Sequence, residues 1–132
     1  MKNMLLLSAL LLAAMQGPVR AEGALAVGIG EGGPKNGYAY TLHVRNSSTD
    51  AAEKIAIEGC RKQAVAYGVP PERCRLVASF RNRCVAVAFD TIERAAGWDL
   101  GDTSEQAIAN AVKKCAEGGA RQCKPQNVEC DR

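Results

Sequence analysis

The sequence predicts an α+β fold: two pseudo-symmetric β-β-α-β units forming one small antiparallel-sheet domain with two helices, stapled by disulfides. Three observations carry that expectation. Cys60, Cys74 and Cys84 are echoed by Cys115, Cys123 and Cys130, with similar residues in similar order around each trio. Thr49 to Cys60 and Ser104 to Cys115 have equal spans, with Ala52 matching Ala107, Ala56 matching Ala111 and Ile57 matching Val112. Upstream, Ala24-Leu25-Ala26-Val27 corresponds to Val85-Ala86-Val87-Ala88, and Gly37-Tyr38 to Gly97-Trp98.

The elements follow in order. Residues 24–29 and 38–44 read as strands joined by a glycine-rich loop. On the second, Tyr38, Tyr40, Leu42 and Val44 share one parity, while Ala39, Thr41 and His43 share the other. A helix is expected over 49–67, begun by a capping-box-like Ser47 three residues before Asp50. Ala52, Ile55, Ala56, Cys60 and Ala64 form its apolar stripe, and Gly68-Val69-Pro70-Pro71 stops it. A strand over 74–81 closes the unit. The second unit reads as strands over 84–90 and 96–100 and a helix over 104–117. Asp102 stands three residues before Glu105, Ala107, Ile108, Ala111, Val112 and Cys115 make the stripe, and Gly118-Gly119 ends the helix. A short strand over 126–130 completes it.

The chain opens with an export signal. Lys2 supplies a short positive start, Met4 to Met15 is almost wholly apolar, and Gln16-Gly17-Pro18 breaks the helix. Val19 and Ala21 are small residues at the positions a signal peptidase reads, so cleavage is expected after Ala21. The apolar run is short for a bilayer span and no second one follows, which predicts no integral membrane segment after processing. An uncleaved anchor is the competing reading of the same run. Residues 22–132 then form a single domain with repeat units about 23–84 and 85–130, since 111 residues suit one domain rather than two. Lys2 and Arg20 leave with the leader, so 15 basic and 14 acidic residues remain and the charge of +3 becomes +1. That balance gives no support to nucleic-acid or general anionic-membrane binding.

All six cysteines lie in the mature part. An even number in a short exported chain reads as three disulfides, drawn from 15 possible pairings. No C-x-x-C occurs, and no metal site is expected. Repeat symmetry favours Cys60–Cys74 and Cys115–Cys123, each pinning a helix to the strand after it. Cys84–Cys130 is left to join the two halves. The core is built of Ala and Val with only six aromatics in the chain, a composition for which staples matter.

Motifs that carry chemistry are few. Gly28-Ile29-Gly30-Glu31-Gly32-Gly33 satisfies G-x-G-x-x-G, but Pro34-Lys35-Asn36-Gly37 follows where a nucleotide site needs a helix N-terminus. It is a hairpin loop, and no cofactor is expected. His43, the only histidine, lacks an evident nucleophile and orienting carboxylate and reads as a surface residue. Asp90 and Glu93, close in a turn, read as solvated carboxylates rather than an acid pair. Asn46-Ser47-Ser48 matches a glycosylation sequon. Arg73, Arg75, Arg81 and Arg83, with Arg61 and Lys62, form either a basic patch for an acidic partner or a charged edge that discourages strand pairing.

One resemblance adds to this. Gly23-Ala24-Leu25-Ala26-Val27, Gly37-Tyr38, the Ala-rich helix ending in Cys60, and above all Cys74-Arg75-Leu76-Val77-Ala78-Ser79-Phe80-Arg81-Asn82-Arg83-Cys84 resemble the bacterial secreted domain of unknown function 4189. The resemblance implies an exported bacterial protein with paired cysteines and brings no catalytic residues. The resulting expectation is a periplasmic or secreted, non-catalytic protein-binding module of inhibitor, immunity or host-interaction type. Its partner is expected in the envelope or outside the cell. Arg81, Asn82 and Arg83 on one turn, with Tyr38 and Trp98 flanking a shared groove, are the expected contact residues. The alternatives are an envelope structural protein, or a hydrolase with an unrecognised site near His43.

Overall fold

The computed structural model describes residues 22–132; the leader expected over residues 1–21 lies outside the described residues. The order is β1 (Glu22–Ile29), β2 (Tyr38–Asn46), α1 (Thr49–Ala66), β3 (Cys74–Phe80), β4 (Cys84–Asp90), β5 (Ala95–Gly101), α2 (Ser104–Ala116) and β6 (Lys124–Cys130). The β-β-α-β order occurs twice, in agreement with the cysteine repeat. Each unit forms its own antiparallel sheet, ordered β2-β1-β3 in the first and β5-β4-β6 in the second.

The central strands explain the layering. β1 and β4 each lie between two partners and are buried along nearly their whole length. Ala24 and Ala26 face α1, and Ala86 and Ala88 face α2. The opposite parity, Leu25 and Val27 with Val85 and Val87, meets between the sheets. The molecule is thus a helix–sheet–sheet–helix sandwich, with its larger side chains between the sheets and its smallest beneath the helices. Leu25, Val85 and Val87 are fully buried, each worth about 1.5–3 kcal/mol of transfer free energy.

This alternation corrects the repeat register. Leu25 matches Val85 and Ala26 matches Ala86, because a one-residue slip would send each side chain to the other face. Likewise Tyr40, opposite Val27, is the counterpart of Trp98, opposite Val87; Tyr38 is not.

The helices repeat more closely than any other part. α1 buries Ala52, Ala56, Cys60 and Ala64, and α2 buries Ala107, Ala111 and Cys115, each at a four-residue step. Ile55 falls outside that narrow stripe and is 39% exposed, contrary to expectation. The caps are also one residue later than expected. Ser48 Oγ accepts from Ala51 N at 3.1 Å, and Thr103 Oγ1 from Gln106 N at 3.2 Å. α2 lies directly on the backbone of β5: a Cβ on Gly97 would stand 2.2 Å from Cys115 N, and one on Gly101 2.4 Å from Ala107 N.

The three disulfides are Cys60–Cys74, Cys115–Cys123 and Cys84–Cys130. The first two tie each helix to the segment after it, as expected. The third differs in role. Cys84 opens β4 and stands opposite Cys130 on β6, so this bridge closes the second sheet instead of joining the halves. All three bridges therefore lie within units. The units are held to each other by the apolar layer between the sheets, by the turn at 81–83, and by Asp131. Its Oδ1 accepts from Arg45 N at 3.2 Å, and its own N–H donates to Arg83 O at 2.9 Å.

Candidate functional site: an aromatic cleft between the units

The expected contact turn is exposed at Arg81, Asn82 and Arg83, but its charges are already matched. Arg81 donates through Nε and Nη2 to Oε1 of Glu22, whose side chain is buried. Arg83 lies 3.5 Å from Asp102. Asn82 takes φ 53°, the conformation of a tight turn. Tyr38 is not close by. Seven residues of β1 separate Glu22, which holds Arg81, from Ile29, which pairs with Tyr38; at about 3.3 Å per residue that is roughly 23 Å. Nor do Tyr38 and Trp98 flank one groove. Trp98 lines a cleft with Val77, Val85 and Leu100, next to one where Arg73 and Arg75 approach, whereas Tyr38 lines a different cleft.

That second cleft lies between the free edges of β2 and β6 and encloses about 870 Å³. Both units build it. Tyr38 and Tyr40 come from β2, Tyr67 from the end of α1, and Phe89 from the end of β4. Tyr38 stacks on Phe89 with ring centroids 5.3 Å apart and planes 8° apart, and Tyr40 sits 5.9 Å from Tyr38 at 37°. Around these rings stand Gln63, Gln126, Asn127 and Arg94. Gln126 is the extra residue of a β-bulge, between the pairs Val87–Asn127 and Ala88–Pro125, and the bulge places it at the rim.

The register also shows what β2 offers. Gly30 N donates to Gly37 O, so the hydrogen-bonded pairs continue through Gly28–Ala39 and Ala26–Thr41. The backbone groups of Tyr38, Tyr40 and Leu42 then point away from β1, along the free edge. Tyr38 is nine-tenths buried and its hydroxyl has no hydrogen-bond partner among the described residues. Burial, with a smaller push from Tyr40, holds that phenol far above its ordinary pKa of 10.0. Burial and the neighbouring Tyr67 raise Tyr40 too.

The remaining polar candidates have structural partners. His43 Nδ1 lies 2.8 Å from Asn46 Nδ2, and that same amide donates to Glu22 O at 3.1 Å. The sequon asparagine is thus buried and engaged. Asp90 is not a solvated turn residue. It is fully buried; Oδ1 accepts from Ile92 N and Glu93 N, and Oδ2 from Gln122 N, each at 2.9 Å. The Glu93 N–H is the chief cause holding its carboxyl below the ordinary 3.8. Glu93 itself lies 3.5 Å from Arg121. The glycine run forms the β1–β2 hairpin, with a 3-10 turn at Pro34–Asn36 in place of a nucleotide-binding helix. Among the described residues no group of three His, Cys, Asp or Glu side chains is placed to hold a metal, and no helix is long and apolar enough to cross a membrane.

Comparison with known families places this architecture. The chain matches the family model described as domain of unknown function 4189 (DUF4189) over residues 23–130. It belongs to that family. Among curated proteins and solved structures, nothing matches it. The DUF4189 match begins at the first strand, ends at Cys130 and takes in both units with all six cysteines. Both units, and the cleft between them, lie wholly within the matched region.

Proposed function

We propose that this protein is an exported, non-catalytic binding module that works in the periplasm or outside the cell. The observation that carries the reading is the β2–β6 cleft. It is large enough for a ligand, lined by aromatic rings and uncharged amides, and assembled from two disulfide-stapled units. Three disulfides suit an oxidising compartment, and the leader over residues 1–21 supplies the route. The test has two parts. Mass spectrometry of the protein recovered from cells should show Glu22 as the first residue and all six cysteines oxidised. The purified protein should then bind its native envelope fraction saturably. A reduced protein retained in the cytoplasm, or binding that never saturates as expected for a purely structural envelope protein, would remove the reading.

A second reading places a partner protein on the Arg81-Asn82-Arg83 turn, favoured by the exposure of all three residues. Arg83→Ala is its test, because Arg83 pairs with a largely exposed Asp102 and its loss leaves no buried charge. Retained affinity for that partner in Arg83→Ala would dismiss it.

A further inference from the structure

We propose that the β2–β6 cleft is a saccharide site, binding a short glycan segment by stacking on Tyr40 and Tyr67 and by hydrogen bonds to Gln63, Gln126 and Asn127. This rests on the binding-module reading above and names the ligand class of the same site. The argument is chemical. A pyranose presents an apolar C–H face and a rim of hydroxyls, each both donor and acceptor. Tyrosine rings match the face, and carboxamides, which carry both a donor NH₂ and an acceptor oxygen, match the rim. Three carboxamides and three tyrosines meet in this one cleft, and among the described residues Arg94 is the sole charged side chain lining it.

Other ligand classes fit less well. A nucleotide or phosphorylated ligand calls for several cations, and one arginine is present. An acyl chain calls for an apolar wall, and here amides and Thr91 interrupt it. Tyr38 backs the wall from beneath: nine-tenths buried and stacked on Phe89, it offers the cleft its ring, while its hydroxyl is sealed from solvent. Tyr67 is 61% exposed at the rim, the usual position of an aromatic platform that packs nothing until a ligand arrives.

The experiment is a glycan array of bacterial envelope and host saccharides probed with the oxidised protein, followed by calorimetric titration of the array hits. Tyr67→Ala and Asn127→Ala should each weaken binding about tenfold, while Arg83→Ala leaves it unchanged. Tyr67 and Asn127 belong to none of the buried clusters, and unchanged thermal unfolding will show that the variants are folded. No saturable glycan binding at millimolar concentration overturns the saccharide assignment, as does glycan binding indifferent to both cleft variants. If the protein instead binds only a protein partner, the module reading survives and the saccharide assignment falls. If it binds the envelope fraction in no saturable way, both fall.

Discussion

Single residues carry sharply different loads in this molecule. Gly97 lies under the α2 backbone with no room for a methyl group, whereas Gly118 has nothing within 4 Å and no positive φ. Gly97→Ala is therefore expected to cost about 3 kcal/mol or more, through displacement of α2. Gly118→Ala should be neutral or stabilise by a few tenths to about 1 kcal/mol. Chemical denaturation of the two variants compares them directly, and equal effects would contradict the close approach. Asp90 makes stability pH-dependent on the acid side. Its folded pKa is lowered, so its contribution is complete above the unfolded value near 3.8 and is lost as pH falls through the lower folded value. Urea unfolding across that acidic window should show the wild-type stability falling more steeply than that of Asp90→Asn. Matching slopes would mean the three backbone donors do not favour the ionised form.

At the scale of elements, the disulfides should differ in weight. Cys84–Cys130 spans 46 residues, Cys60–Cys74 spans 14 and Cys115–Cys123 spans 8. Loop-closure entropy makes them worth about 4, 3 and 2.5 kcal/mol in that order. Paired Cys→Ala variants, melted under oxidising conditions, should lose stability in the same order, and an inverted order would mean native-state contacts outweigh the loop term. Much of the element structure was legible in the sequence. Ala-x-x-x-Ala-x-x-x-Cys recurs because both helices lie on strands through the same narrow stripe, and that spacing survives in one dimension. The strand register was harder to read. Ala alternates with Leu and Val in β1 and with Val in β4, and such an all-apolar run looks acceptable one step out of phase. Only the packed faces decide it. Ile55 misled for a related reason: a helix resting on alanines buries a stripe one residue wide and leaves its flank in water.

At the scale of the whole molecule, the two units are covalently independent apart from the chain between them. Limited tryptic nicking within the exposed 81–83 turn should release two fragments that separate on a non-reducing gel, since each bridge lies wholly on one side. A product that stays linked would show a bridge between units. The cleft exists only because the sheets stack with β2 beside β6, and that is why it escaped sequence reading. Its tyrosines and amides come from β2, β6 and the end of α1, far apart in the chain, and nothing local announces their meeting. The arginine turn was conspicuous in sequence for the opposite reason: its charges are adjacent in the chain. Their partners Glu22 and Asp102 are distant in sequence, so the pairing that neutralises them was hidden. The most direct test of cleft against turn is a calorimetric titration of solubilised envelope glycans into wild type, Tyr67→Ala and Arg83→Ala. Binding weakened about tenfold in Tyr67→Ala and unchanged in Arg83→Ala is the result expected, and the reverse pattern would contradict the account.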